Sequence, residues 1–296
     1  MRVTPRSFPS WLDPLALVEL FVLANIAFLA VDIYVAHSTN RFAEWPEWIP
    51  LAFSCTGPLL LLLAMGLGCG VHPPPREETH RSNRAQASRD IGLFVGGLSV
   101  CVGVAGLIWH LEGGFFQEQT LKNLVYAAPF VAPLSYAGVG MLLLLDRMVP
   151  AESDEWSRWV LLLAWGGFVG NFVLSLTDHA QNAFYDWREV IAVVASALAV
   201  GTLLSAVIYH HNRSFLRICV WVMLLQIVVG VLGWFFHLRA ILSSPMETLW
   251  DRVVYAAPIF APLLFANLAL LALIGLWSLL RRPDVEAVGT HFPDLH

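Results

Sequence analysis

The 296-residue sequence predicts an all-α integral membrane protein. Its eight transmembrane helices would form two tandem parallel four-helix repeats with both termini cytoplasmic. Three observations carry this expectation. The chain is 57% apolar and 13% charged, with a mean hydropathy of +0.66, more apolar surface than a water-soluble globule can hide. Continuous apolar runs of about 20 residues, the length a helix needs to cross hydrocarbon, fit at 15–36, 49–70, 91–109, 124–148, 159–176, 190–209, 218–236 and 253–280. Finally, LVYAAPFVAPL at 124–134 returns 129 positions later as VVYAAPIFAPL, matching at eight of eleven positions.

The runs are unbroken rather than alternating, and lipid tolerates no open sheet edge, so strands are excluded. The first run follows Arg2 and Arg6 but is longer than a signal-peptide core and lacks a small-x-small cleavage site, so it reads as retained. It carries Glu19 and Asp32. Between the second and third runs lies the long polar connection HPPPREETHRSNRAQASRD, 72–90, expected to be a mobile cytoplasmic loop. His72 and His80 there, with Cys69, form only a chance-like metal spacing. The fourth and eighth runs open on the Tyr-Ala-Ala-Pro repeat, and the fifth and seventh hold Asn171 and Gln226. The domains expected are 1–150, 151–282 and a polar cytoplasmic tail, 283–296. Cys55, Cys69, Cys101 and Cys219 all fall in apolar runs and read as buried thiols rather than disulfides.

Orientation follows from the basic residues. Twelve Lys and Arg fall on the side that holds both termini and the 72–90 loop, and five (Arg41, Lys122, Arg188, Arg239 and Arg252) fall on the other. Cytoplasmic loops are the basic ones, so the chain is expected in a bacterial inner membrane with the loops after runs one, three, five and seven facing outward.

A shift of 142 residues lays HSTNRFAEWPEWIPLAFS, 37–54, on HAQNAFYDWREVIAVVAS, 179–196, pairing His37 with His179, Asn40 with Asn182 and Glu47 with Glu189. IWHLEGG, 108–114, pairs with WFFHLRA, 234–240, which sets His110 beside His237, and Glu118 then meets Glu247. Four spans return a chain to its starting side, so such repeats are parallel. All these polar matches fall at the outward ends of the helices. Pro129 and Pro258 stand at the start of runs four and eight, and Pro133 and Pro262 a turn deeper. A proline inside a helix frees the carbonyl four residues back, here those of Pro129 and Pro258, in the layer of the histidines.

The candidate site residues are therefore His37, His110, Glu47, His179, His237 and Glu189 as metal ligands. The four histidines with Tyr126, Tyr255, Asn40 and Asn182 are the cofactor-binding set, and Asp178 with His179 is the catalytic pair of a quinol variant. Imidazoles suit haem b, copper or zinc, and His beside a carboxylate suits quinol deprotonation. The competing reading is that these residues cap helix ends and meet headgroups, with Trp45, Trp48, Trp109, Trp187, Trp234 and Trp250 as an aromatic belt.

The tandem four-helix arrangement resembles the membrane subunit of polysulfide-reductase-type quinol oxidoreductases, and LTDHAQNAF, 176–184, resembles that family's Asp-containing loop. The resemblance implies quinol chemistry toward the outer face. The sequence reading is thus a redox or electron-transfer subunit working with membrane lipids and a periplasmic or membrane partner, or a larger complex. Its alternatives are a small transporter or channel, or a structural subunit. No nucleic-acid partner is expected, and no nucleotide-phosphate loop, Ser-His-Asp elbow or His-Glu-x-x-His occurs. Whether the chain is an enzyme is left open.

Overall fold

A computed structural model describes residues 13–68, 83–112, 114–126 and 128–282. The tail and most of the 72–90 connection, with Cys69, His72 and His80, lie outside these residues. Ten α-helices follow in order among the described residues: α1 Pro14–Ser38, α2 Trp48–Gly68, α3 Asn83–Glu112, α4 Leu121–Tyr126, α5 Leu134–Met148, α6 Asp154–Gln181, α7 Arg188–Ile208, α8 Arg213–Ser243, α9 Leu249–Tyr255 and α10 Leu263–Leu280. A short 3-10 turn, Trp45–Glu47, leads directly into α2.

Among the described residues, seven helices are long and apolar enough to cross a membrane: α1, α2 with its leading turn, α3, α6, α7, α8 and α10. The expected span at 124–148 is not one helix. Its prolines divide it into α4, an unwound stretch and the 15-residue α5, which at about 1.5 Å per residue is some 22 Å long and short of a bilayer's hydrocarbon. Pro258 and Pro262 divide the 253–280 span likewise into α9 and α10. The third helix is longer than expected. It starts at Asn83, so 83–90 is helical rather than loop, because Ser88 donates to the Ala64 carbonyl (2.7 Å) and ties this first stretch to α2.

Helix starts follow local chemistry. Asp13 accepts from the Leu15 amide (3.2 Å) ahead of Pro14, Ser153 from Trp156 (3.1 Å) and Asn212 from Phe215 (3.0 Å), each satisfying an otherwise orphaned N–H. The closest packing is of α3 on α5 and α8 on α10. There a Gly-x-x-Gly pair removes the side chains that would hold the backbones apart. A Cβ at Gly103 would stand 2.5 Å from the Ala137 nitrogen, and one at Gly230 would stand 2.9 Å from the Pro262 oxygen. Gly106 and Gly233 abut the Pro133 and Pro262 rings in the same way, at 2.8 and 2.9 Å. Small residues at such crossings are the main source of helix association where water cannot drive it.

The first and last helices meet through Asn25 and Asn267, whose amides bond to each other at 2.6 and 3.2 Å midway along α1. At one end of the bundle the buried Glu19 of α1 pairs with Arg147 of α5. At the other end two short arms cross over. Gln181 at the end of α6 donates to the Val125 carbonyl of α4 (2.7 Å), and Trp250 of α9 rests on Tyr34 of α1, ring centres 5.8 Å apart. Cys219 is buried, but Cys55 and Cys101 lie on outward helix surfaces, where continuous apolarity hides which face meets lipid.

Candidate functional site

Chain geometry brings His37, Glu47 and His110 together. After α1 the backbone turns back sharply through Arg41 and Phe42, both left-handed at φ 61° and 52°. The Phe42 amide closes the turn on the His37 carbonyl (3.1 Å). The same two-residue turn recurs after α6 at Ala183 (φ 53°) and Phe184 (φ 50°), with the Phe184 amide on the His179 carbonyl (3.0 Å). Non-glycine residues enter this region at a cost of about 1–2 kcal/mol each. Two such residues in each of two places hold the following carboxylate over the helix end it has just left.

Glu47 thereby comes 3.8 Å from His37 Nδ1, and Glu189 comes 3.6 Å from His179 Nδ1. Asn40 donates to the carboxylate of Glu47. All four of these ionisable side chains are at most 19% exposed. The second imidazole of each set is held by the broken helix. His110 Nδ1 donates to the Pro129 carbonyl (3.2 Å), and His237 Nδ1 to that of Pro258 (2.8 Å). Pro133 and Pro262 deny these carbonyls the N–H four residues on, and that of Pro129 accepts from the Ala132 amide as well (3.0 Å). His110 and His237 thus donate from Nδ1 to an oxygen, which leaves their Nε2 lone pairs available, whereas the Nδ1 atoms of His37 and His179 face carboxylates from beyond hydrogen-bond distance. The His37 and His110 ring centres are 6.2 Å apart and nearly perpendicular, at 77°. In the other set, His179 and Glu189 act electrostatically on His237.

Other expected members stand apart. Tyr126 and Tyr255 are 63% and 50% exposed on α4 and α9, without a hydrogen bond to the imidazoles among the described residues. Asn182 makes no bond to Glu189 there; its backbone caps α6 instead (3.2 Å to the His179 carbonyl). Asp178, half-buried on α6, makes no hydrogen bond or ion pair with His179 among the described residues. Glu118 is exposed and accepts from Asn123 (3.4 Å), and Glu247 is exposed too. In the loop beside the second set, Arg188 donates to Asp186 and holds its carboxyl down at about 2.

Among the described residues no group of three or more His, Cys, Asp or Glu is arranged to hold a metal ion. Glu47 faces the Nδ1 atom of His37 and also acts electrostatically on His110, and Glu189 faces that of His179 and acts likewise on His237. Beneath His37 and His110 lies a cavity of about 70 Å³, floored by Tyr136 and walled by Ile33, Pro50 and Val102. It has room for about two waters at roughly 30 Å³ each. Sites for drug-sized ligands run to roughly 300–1,000 Å³, more than this cavity.

Sequence reasoning missed three members of this assembly. The left-handed pairs sit on Arg-Phe and Ala-Phe, residue types that announce no such turn. Tyr136, with its hydroxyl on Ser54 and donating to the Pro50 carbonyl (3.1 Å), was hidden in an apolar run. The Gly-x-x-Gly pairs were legible, because Gly103 and Gly230, like His110 and His237, are 127 residues apart. Comparison with protein-family models, curated proteins and solved structures found no match.

Proposed function

We propose that the chain is a redox subunit of a bacterial inner membrane, with a two-imidazole metal site at the outer end of each of two parallel four-helix repeats. On this reading α4 with α5, and α9 with α10, each complete one broken span, giving eight crossings and cytoplasmic termini. The metal would pass electrons to or from a membrane or periplasmic partner.

One observation carries the reading: one imidazole of each set donates its Nδ1 N–H to a backbone carbonyl, the way metal-ligating histidines are usually held, and the other has a carboxylate facing its Nδ1. The 6.2 Å separation of the His37 and His110 rings agrees with it. An ion bonded to both Nε2 atoms at about 2.0 Å, with about 1.1 Å more to each ring centre, needs about 6 Å. Two imidazoles without a third protein ligand suit copper(I), which accepts linear coordination, better than zinc, which wants four ligands. The small cavity speaks against haem and quinol.

Metal analysis of purified protein reloaded with copper after chelation tests this, together with its visible spectrum. The expected result is two coppers per chain and no Soret band. His110→Ala and His237→Ala should each remove one copper. Retention of copper in the variant lacking all four histidines refutes the site, and tags after Trp45 and Trp187 that react only from the cytosol refute its outer placement.

A transporter reading has the unwound stretches before α5 and α10 in its favour, since broken helices often coordinate ions. Ion flux into liposomes that persists in the variant lacking all four histidines would favour it.

A further inference from the structure

Below the histidines of the second half lie three buried polar side chains that the proposed site does not use: Ser175 and Asn171 on α6 and Gln226 on α8. His179, Ser175 and Asn171 follow one another at four-residue steps, so they stand on one face of α6, about 6 Å apart along its axis. Gln226 shares its face of α8 with Gly230, Gly233 and His237, and that face lies on α10, where a Cβ at Gly230 would meet the Phe265 Cβ at 3.1 Å. The Leu268 side chain of α10 lies against Gly167, one turn below Asn171. With α10 as the common ruler, and about 1.5 Å per residue, Gln226 sits roughly 8 Å below Asn171. An imidazole, a hydroxyl and two carboxamides thus descend like a ladder into the bundle.

The carboxamides lack partners. Gln226 is fully buried, and neither its Oε1 nor its Nε2 makes a hydrogen bond among the described residues. Asn171 is 3% exposed, and its Nδ2 makes none there either. A buried amide left unpaired is costly in an apolar medium. Two donors and an acceptor in this state call for a ligand that both accepts and donates, and water does both. One bridging water, with two bonds of about 2.8 Å, spans about 5.6 Å, close to the step of the ladder on α6. The core around it is built on short side chains, with Ala195, Ala199 and Ala269 all buried. Farther down, the fully buried Phe168 and Met223 close it.

The first half has no such ladder. The residues 142 positions before Ser175 and Asn171 are Ile33 and Leu29, and the one 127 before Gln226 is Ser99, which donates to the Tyr136 carbonyl (2.8 Å). We infer that the second half binds a file of water between His179 and Gln226, a hydrated half-channel that opens at the histidine end and stops in the middle of the bundle. It is a feature of the second half alone, and it depends neither on a metal nor on which side of the membrane the histidines face.

Heavy-water exchange tests it, followed by proton–nitrogen NMR of micellar protein that carries isotope-labelled glutamine. The Gln226 signals are identified by their loss in Gln226→Leu. The side-chain amide protons of Gln226 should exchange within minutes at neutral pH, while its backbone N–H, inside α8, stays protected for hours. Ser175→Ile, which copies Ile33, and Asn171→Leu, which copies Leu29, should each slow the side-chain exchange at least tenfold. Should Ser175→Ile fail to fold, Asn171→Leu decides. Protection of the wild-type side chain for hours overturns the inference. Exchange of side chain and backbone at one rate does so too, since that marks opening of the helix rather than water inside it. Exchange that neither variant slows is the third refuting result. Failure of copper to bind would overturn the metal reading and leave this result intact.

Discussion

Gly103→Ala should loosen the grip of α3 on α5 and with it the hold on His110. The new methyl would stand 2.5 Å from the Ala137 nitrogen and 2.9 Å from the Pro133 oxygen, both backbone atoms that no rotamer change can move. Overpacking a close contact costs about 1–3 kcal/mol, and a rigid neighbour puts the cost near the top of that range. Replacing a mid-helix glycine returns about 0.5–1 kcal/mol, which leaves a net loss of about 2 kcal/mol. Gly97 on the same helix has nothing within 4 Å of its Cβ position, so Gly97→Ala has only the gain. The two variants should therefore differ by about 3 kcal/mol, or about a hundredfold in the unfolding equilibrium at 1.4 kcal/mol per tenfold. Reversible SDS unfolding in mixed micelles, followed by tryptophan fluorescence, measures this difference. His110 is two turns along α3, and a displacement of half an ångström lengthens its 3.2 Å bond to Pro129 beyond a useful distance. Copper at the first site should weaken in Gly103→Ala and not in Gly97→Ala. Equal stabilities would refute the argument that close backbone approach at Gly103 builds the site.

Ala183→Gly should stabilise the protein by about 1 kcal/mol in the same unfolding assay, since glycine accepts φ 53° without the cost that alanine bears. Arg147→Met should cost about 3–5 kcal/mol by stranding the buried Glu19, and Glu19→Leu with Arg147→Met should recover most of that loss, the pattern of a buried ion pair. The Asp186 carboxyl titrates near 2 because Arg188 binds its charged form. Its folded value lies below the unfolded value of about 3.9, so its contribution to stability is present above that pH and fades as pH falls toward 2. Arg188→Ala should return the Asp186 midpoint toward 3.9, read by carbon-detected NMR of the carboxyl.

How much of this was legible depends on what each residue does to the backbone. Apolar runs announce helices because a bilayer leaves the chain no other way to satisfy its peptide groups, and that expectation stands for seven helices. Where it failed, at 124–148, the prolines had been read as a bend in a helix, whereas Pro129 and Pro133 together remove two donors from one turn and end it. The approach of His110 to the Pro129 carbonyl followed from that missing donor and could be anticipated. Its Tyr126 companion could not, because α4 is held to α6 through Val125 and Gln181, 56 residues apart, and the phenol stays exposed. Long-range partners of this kind leave no local pattern. Neither did the pairing of Tyr136 with Ser54, two residues 82 positions apart in continuous apolar runs.

The crossed arms carry a consequence for how the molecule came to be joined. α4 leans on the helix that bears His179, and α9 on the helix that bears His37 as well as on α8, so each half lends part of its outer cover to the other. A half released as a separate polypeptide would need the arm of a second molecule, and two identical halves would satisfy each other by reciprocal exchange. On the proposed two-repeat reading, a twofold pair of short chains would be a workable ancestor, and fusion at the α5–α6 junction would have freed the partners to diverge, Tyr136 on one side and Phe265 on the other.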